Sequence, residues 1–251
     1  MKSYFDTASD IYSRARPTYP AELYFWLAKQ ASGHSLVWDS ACGTGQASID
    51  LAAYFESVEA SDVSETQVAE ATPHRKIHYQ VCQSEKTPYS DNSFDVVCVA
   101  HALHWLDLDS FWDELRRVLK PNGLFVCWGY NWIRIGEHED DVIDRYVLKK
   151  VHTHWKDESR LLWREYKDID FPLEMMDVPQ FELTQNWSAY RVFEYIRSWS
   201  ATSLLIESEG DQFLQKAWDE MIKLWGDPLQ KKSITLPFFV KAGRFNLPNA
   251  S

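Results

Sequence analysis

An open, mostly parallel α/β sheet with helices on both faces is the fold class that this sequence of 251 residues predicts. Three observations predict it. Short apolar runs of strand length alternate with stretches of helical pattern, about 20 to 30 residues apart. One run, Phe94–Ala100 (FDVVCVA), is apolar almost throughout, as expected of a strand covered on both faces. A small-residue loop, Ala41-Cys42-Gly43-Thr44-Gly45, joins the first strand to the next helix, where such sheets hold their ligands.

Taken in order, a helical start over Ala21–Lys29 leads to a short buried strand, Ser35–Ser40. The glycine loop follows, then a helix over Gln46–Phe55, because glycine punctuates and the apolar positions then recur at helical spacing. A second strand, Ser57–Ser61, ends at Asp62; Glu65–Ala71 is helical and Ile77–Cys82 is a third strand. Asp91-Asn92-Ser93 is a turn before the fourth strand. Phe111, Leu115, Val118 and Leu119 share one face of a helix that Asp107 or Asp109 can cap and Pro121-Asn122-Gly123 stops. Leu124–Trp128 is a fifth strand. From Asn131 to about Asp177 the texture turns polar, acidic and rich in Trp, which predicts a helical lid insertion over the carboxyl ends of the strands. Phe181–Trp187 and Ile234–Ala242 are later strands with helical stretches between them.

Composition narrows the function classes. Twenty-six basic against 37 acidic residues leave a net charge of −11, which disfavours nucleic acid and anionic lipid as partners. Aromatic residues make up 15% of the chain, which suits a pocket for a partly apolar ligand as well as a thick core. Cys42, Cys82, Cys98 and Cys127 form no CxxC pair and sit in apolar stretches, so buried thiols and a reducing, cytoplasmic location are expected. The opening MKSYFDTASDIYSRARP has no apolar core of a signal peptide, and no run is long enough to span a bilayer.

The loop after the first strand carries the chemistry. Gly43 and Gly45 let backbone turn sharply and lie against a ligand, and the helix that follows presents its free N–H groups there. Asp39, at the end of the strand, adds an acceptor for an ammonium group. Asp62 ends the second strand 19 residues after Gly43, where a carboxylate can accept both hydroxyls of a ribose. A nucleoside-bearing cofactor fits, either a dinucleotide or S-adenosylmethionine. Ser48 stands where the dinucleotide fingerprint wants its third glycine, which disfavours a nicotinamide oxidoreductase.

These stretches resemble a known family. VWDSACGTGQA (Val37–Ala47) is similar to motif I of class I S-adenosylmethionine-dependent methyltransferases, and ASDVSETQVAEA (Ala60–Ala71) to their acidic second motif. Thr87–Asp107 resembles their fourth-strand region, and LRRVLKPNGLFVCWG (Leu115–Gly129) the helix and strand that follow. RARPTYP (Arg14–Pro20), AHALHW (Ala100–Trp105), YIRSWSA (Tyr195–Ala201) and LPFFVKAGR (Leu236–Arg244) are similar to the trans-aconitate methyltransferase-like branch, which methylates small molecules and includes carboxyl O-methyltransferases.

The resemblance implies a Rossmann-like, doubly wound sheet of seven strands in a single domain. Residues 1–34 form an N-terminal helical cap, 35–130 the cofactor-binding half, 131–177 the lid, and 178–251 complete the sheet. It implies S-adenosylmethionine as cofactor and a small-molecule acceptor, with O-methylation of a carboxylate favoured. Methylation at carbon or nitrogen and a non-catalytic cofactor-binding protein are the alternatives. Asp39, Gly43 and Gly45 would hold the methionine end, Asp62 the ribose and Val63 the adenine face. Ser84 and Glu85 would line the adenine edge, and Ala100 and His101 would lie near the methionine amino group and sulfonium. Tyr12 and Arg14 would close from the N-terminal segment. Ala41 stands where the family usually has its first glycine, and Gln83 where an aspartate often stands, so both bear on affinity.

His104 is a candidate base or orienter of the acceptor, against the plainer reading that it begins a short helix whose Trp105 packs into the sheet. Tyr19, Trp105, Trp128, Trp132 and Trp199 are candidate walls of an acceptor pocket, with Tyr130 and Phe238 of the same kind, although each alone also suits a core. Arg197 can pair with an anionic acceptor through its planar fork, or with a surface carboxylate. His152-Thr153-His154 and the acidic Glu139-Asp140-Asp141 fit a solvated helix better than a metal site, so no metal is expected.

Overall fold

The computed structural model describes residues 16–246 of the chain. Five strands of the first half run parallel: β1 (Leu36–Ser40), β2 (Ser57–Asp62), β3 (Ile77–Val81), β4 (Phe94–Ala100) and β5 (Leu119–Tyr130). Two antiparallel strands, β6 (Glu174–Met175) and β9 (Phe238–Arg244), extend the sheet to seven in the order β3-β2-β1-β4-β5-β9-β6. The order reverses at β1, so the carboxyl ends of β1 and β4 flank the switch point where open sheets bind ligands.

Alternation along the strands explains why they read as apolar runs. Val37, Val96, Cys98, Leu124, Val126 and Trp128 point to one face and pack with Leu23, Tyr24 and Leu27 of α1 (Ala21–Gln30) and Leu51 of α2 (Gln46–Leu51). Trp38, Val97, Val99, Phe125 and Cys127 point to the other face, against Phe111, Leu115 and Val118 of α4 (Leu108–Val118). A strand with both faces covered is apolar except where a buried polar side chain finds hydrogen-bond partners, as Asp39 and Asp95 do. Between these helices, α3 (Glu65–Ala69) is capped by the Ser64 hydroxyl, which accepts from the Gln67 N–H.

Several boundaries differ from the sequence reading, each for a local reason. α2 stops at Leu51 rather than Phe55, and the Lys76 ammonium caps the carbonyls of Ala52 and Phe55 at 2.7 and 2.9 Å. Pro121-Asn122-Gly123 does not precede the fifth strand but forms an irregularity inside it, with Asn122 left-handed at φ 64°. The stretch Ile234–Ala242 is not one strand. It divides at Pro237 into β8 (Lys232–Leu236) and β9, because proline has no N–H to continue a ladder.

The chain divides into two compact units, and the division does not follow the expected lid of 131–177. The sheet unit holds Tyr19–Tyr130, Arg160–Phe181 and the chain from Phe238 on. Arg160–Phe181 belongs there because it supplies strand β6 and Tyr166, which is packed in the core against Phe239. The second unit holds Asn131–Ser159 and Glu182–Pro237, with the segment that ends at Thr18. It is largely helical: α5 (Glu137–Ile143), a π turn over Asp144–Leu148, α6 (Lys149–Val151), α8 (Ala189–Arg197), α9 (Ser200–Glu209) and α10 (Gln212–Trp225). The helix α7 (Ser159–Trp163) spans the boundary. β7 (Leu183–Trp187) pairs only with β8, so it does not complete the seven-stranded sheet as expected. Among the described residues no helix is long and apolar enough to cross a membrane.

At the amino end of the sheet one carboxylate ties three segments together. Asp95, 4% exposed, accepts from the Ser35 N–H and hydroxyl at 2.9 and 2.5 Å, from the Leu36 N–H at 3.0 Å and from the Lys120 ammonium at 2.8 Å. Burial pushes its carboxyl up, but these hydrogen bonds outweigh burial and hold it below the usual range. A depressed carboxyl stabilises the fold above its unfolded value of about 4, and that stabilisation is lost as pH falls through the lower folded value. Asp95→Ala is expected to lower unfolding free energy by about 3 kcal/mol, read by urea titration at neutral pH. The deficit should shrink in acid, where the parent loses the same interaction.

Candidate cofactor site

β1 enters α2 through a loop in which Ala41, Gly43 and Gly45 are all left-handed, at φ 55°, 57° and 78°. The reasons differ. A Cβ on Gly45 would lie 2.3 Å from the Tyr79 hydroxyl, so neither conformation nor space admits a side chain. A Cβ on Gly43 would meet only Gln67 Oε1 at 3.5 Å, so the space beside it is open and conformation alone requires glycine. Ala41 holds the strained conformation with a methyl group, which explains why a glycine is usual there.

Two bonds fasten this loop to β2. The Cys42 N–H donates to the Ser61 carbonyl at 2.9 Å, and the Gly43 N–H donates to Asp62 Oδ2 at 2.8 Å. The other Asp62 oxygen accepts from the Ser64 N–H, also at 2.8 Å. The carboxylate therefore stands fixed at the end of its strand, and beside it Val63 is 70% exposed, an apolar side chain with nothing over it among the described residues. From β1, the Ser40 hydroxyl bonds that of the buried Ser84 at 2.8 Å. Glu85 Oε1 accepts from the Asp107 N–H, which ties the loop after β3 to the start of α4, and Gln83 lies exposed in an isolated bridge with Lys86. Asp39, Ala41, Gly43, Gly45, Asp62, Val63 and Ser84 thus gather at the carboxyl ends of three neighbouring strands.

Asp39 is fully buried, and its Oδ2 accepts from the Ser48 hydroxyl at 2.5 Å. Desolvation raises its carboxyl to about 7, with the nearby Asp62 charge adding to the rise and the Ser48 hydrogen bond opposing it. On β4, Ala100 is half-buried, and His101 after it is left-handed at φ 58° with its N–H on the Trp128 carbonyl at 2.7 Å. The His101 ring stacks on Tyr130 with centroids 4.0 Å apart.

His104 is 4% exposed and shares a hydrogen bond with the Tyr166 hydroxyl at 3.0 Å. Burial lowers its pKa to about 4, so the ring is neutral at physiological pH and a weak base. Trp105 does not pack into the sheet: it is 47% exposed, with its ring 4.3 Å from that of His104. Trp128 is core rather than an open wall, fully buried and edge-on to Tyr19 and Tyr24 at 5.6 and 6.1 Å. Its indole Nε1–H nevertheless has no hydrogen-bond partner among the described residues. Tyr19 also tilts against Phe238 at 6.2 Å. Trp132, Arg197 and Trp199 belong to the second unit, where Trp132 and Trp199 pack together at 5.3 Å and Arg197 pairs with Asp211 at 3.4 Å. Tyr12 and Arg14 lie outside the described residues. The sequence reading missed Tyr79 and Tyr166, whose contacts with Gly45 and His104 come from distant segments and leave no mark in local spacing.

Comparison with known proteins identifies the family. A family model described as a methyltransferase domain matches residues 38–127, from β1 into β5. A solved structure of a candidate type II methyltransferase from Anaeromyxobacter dehalogenans superposes with a TM-score of 0.84 at 33% identity, covering 91% of this chain and 97% of that one. An uncharacterized methyltransferase of Mycobacterium tuberculosis is 32% identical over 171 residues, 61% of this chain and 67% of the relative. This chain belongs to the class I S-adenosylmethionine-dependent methyltransferases. A candidate methyltransferase of Dictyostelium discoideum extends the likeness, at 27% identity, over 88% of this chain.

The residues of this methyltransferase fit its cofactor, S-adenosylmethionine. The fixed carboxylate of Asp62 suits a diol, the exposed Val63 suits a flat base, and the open space at Gly43 lets a ligand approach backbone. Two expected outcomes follow. Asp62→Ala should weaken S-adenosylhomocysteine roughly tenfold to a hundredfold by calorimetry, the loss of hydrogen bonds to a charged acceptor. Because Asp39 ionises near neutrality, affinity for the ammonium-bearing ligand should rise as pH climbs from about 6 to about 8, until the ligand's own ammonium deprotonates. Asp39→Asn should flatten that profile while circular dichroism stays unchanged.

Proposed function

We propose that this methyltransferase esterifies a small carboxylic acid, with Asp39, the Ala41–Gly45 loop, Asp62, Val63, Ser84 and His101 serving the cofactor. The observation that carries this reading is the buried Trp128 indole N–H, a donor without a partner among the described residues, at the carboxyl end of β5. An unmet buried donor is costly, and an oxyanion of the acceptor would satisfy it. The neutral His104 points the same way. A group with a pKa of about 4 does not strip a proton from a phenol or amine at neutral pH, whereas a carboxylate is already an anionic nucleophile there. The short motifs that resemble the trans-aconitate methyltransferase-like branch support the same substrate class.

Bound at this site, the cofactor supplies an electrophilic methyl group on a sulfonium. The chain's own part is positional: Asp62 and the left-handed loop fix where the cofactor's nucleoside and amino-acid ends lie, and Trp128 orients an acceptor oxygen in line with the methyl. His104 and Tyr166, bonded to each other and buried, keep water out and hold neutral walls near the end of β4. No protein group needs to gain or lose a proton.

Three readouts test this. Incubation with a panel of small mono- and dicarboxylic acids should yield products whose methyl is released as methanol by mild base; a base-stable methyl on nitrogen or carbon refutes the reading. With cofactor saturating, kcat should be flat from about pH 6 to about pH 9, since the acceptor and His104 both titrate near pH 4. Trp128→Phe should raise KM for the acceptor about tenfold or more and leave S-adenosylhomocysteine affinity unchanged. A change in cofactor affinity alone would move the indole donor from acceptor to cofactor.

A further inference from the structure

The second unit contains a cavity of about 210 Å³ between the π turn Asp144–Leu148, α6, the end of α9 and the start of α10. Its composition runs against that of the chain. Three cations line it, Arg145, Lys150 and Lys216, against a single acid, Glu209, in a protein whose net charge is −11. Arg145 is engaged by Asp141 at 2.8 Å. Among the described residues no carboxylate pairs with Lys150 or Lys216, although acids outnumber bases along the chain 37 to 26 and Glu209 lies on the same rim. Lys150 and Lys216 line the same cavity, and an anion bound there would offset the repulsion between their like charges.

The rest of the lining is mixed: Gln212 and the Gly210 backbone are polar, and three side chains are apolar or aromatic. Leu205, 2% exposed, forms the floor, and Phe213 and Tyr146 supply rings. A cavity of about 150 Å³ accommodates a benzene ring, so this one has room for a ring bearing a phosphate or two carboxylates. The backbone is also irregular here. A five-residue π turn interrupts the helix that carries Arg145, Tyr146 and Lys150, and such segments cluster at functional sites because their poorer hydrogen bonding has to be retained for a reason. Across the cavity, Gly210 at φ 82° stops α9 and lets α10 begin, which brings Glu209 and Phe213 to the same opening.

We propose that this cavity is a second ligand site, specific for a small aromatic dianion, either an aryl phosphate or an aryl dicarboxylate. It lies wholly within the second unit, and the inference stands whatever acceptor the enzyme methylates.

Calorimetric titration of the full chain, saturated with S-adenosylhomocysteine, tests it with phenyl phosphate, phthalate and neutral phenol as probes. At least one dianion should bind with sub-millimolar Kd and phenol should not, and which dianion binds more tightly assigns the ligand as phosphate or dicarboxylate. The double variant Lys150→Gln/Lys216→Gln should weaken that binding roughly tenfold or more, because two charge-assisted contacts are lost. Both lysines are exposed, so S-adenosylhomocysteine affinity and the circular dichroism spectrum should match the parent. Phe213→Ala should weaken the aryl probes while leaving the parent's preference for dianion over phenol intact. Absence of binding at millimolar probe, equal binding of phenol, or unchanged affinity in the double lysine variant would each overturn the proposal.

Discussion

The left-handed turn from β1 into α2 is the constraint on which the site depends. Three residues of five take a conformation that costs a non-glycine residue about 1 kcal/mol or more, and Ala41 takes it with a methyl attached. That turn persists because β2 holds it: the Ser61 carbonyl and the Asp62 carboxylate each take an N–H from the loop. The same carboxylate fixes Ser64, whose hydroxyl caps α3. One side chain therefore sets the path of the loop, the start of a helix and the end of a strand. Under the proposed assignment of Asp62 to the ribose, a substitution there would change the cofactor's seat as well as a contact.

How much of this was legible in the sequence depended on how local its cause was. Phe94–Ala100 was read to the residue because both of its faces are buried and the run is apolar but for Asp95 near its start. The glycines and Asp62 were legible because the spacing between loop and second strand is set by one helix and one turn. Pro237 was visible too, but a single proline inside an apolar stretch does not say that the chain changes sheets there. The two-residue strand β6 carries no periodicity at all; it exists because β9 offers it an edge. Likewise, Arg160–Phe181 reads as polar lid, yet Tyr166 draws it into the sheet unit through the core around Phe239 and the bond to His104. Local pattern records what a residue must avoid, and these contacts are choices among distant partners.

His104 shows the same limit at the level of chemistry. A histidine at the end of the fourth strand reads as a candidate base or orienter of the acceptor, or more plainly as the start of a short helix, and AHALHW alone does not decide between them. Tyr166, 62 positions away, closes over the ring, and burial then lowers its pKa to about 4. Under the proposed reaction, function thereby moves from proton transfer to shape: an in-line displacement on a sulfonium by an anion gains most from orientation and exclusion of water, and a neutral, buried pair serves both.

Two buried aspartates at opposite ends of the same sheet show where stability has been given up. Asp95 is surrounded by donors, and its depressed carboxyl stabilises the folded chain at neutral pH. Asp39, at the carboxyl end of β1, has the Ser48 hydroxyl and a distant thiol from Cys98, and burial raises it to about 7. A raised carboxyl acts in the opposite sense: the folded state binds the proton more tightly than the unfolded chain, so this group's contribution falls as pH rises from about 4 to about 7. The fold could have satisfied Asp39 as fully as it satisfies Asp95, since both carboxylates lie within the sheet. It leaves the deficit at the carboxyl end of β1, on the side of the sheet proposed for the cofactor, so that a cation bound beside Asp39 would recover part of the cost of burying it and would couple its own binding to the stability of the central strand.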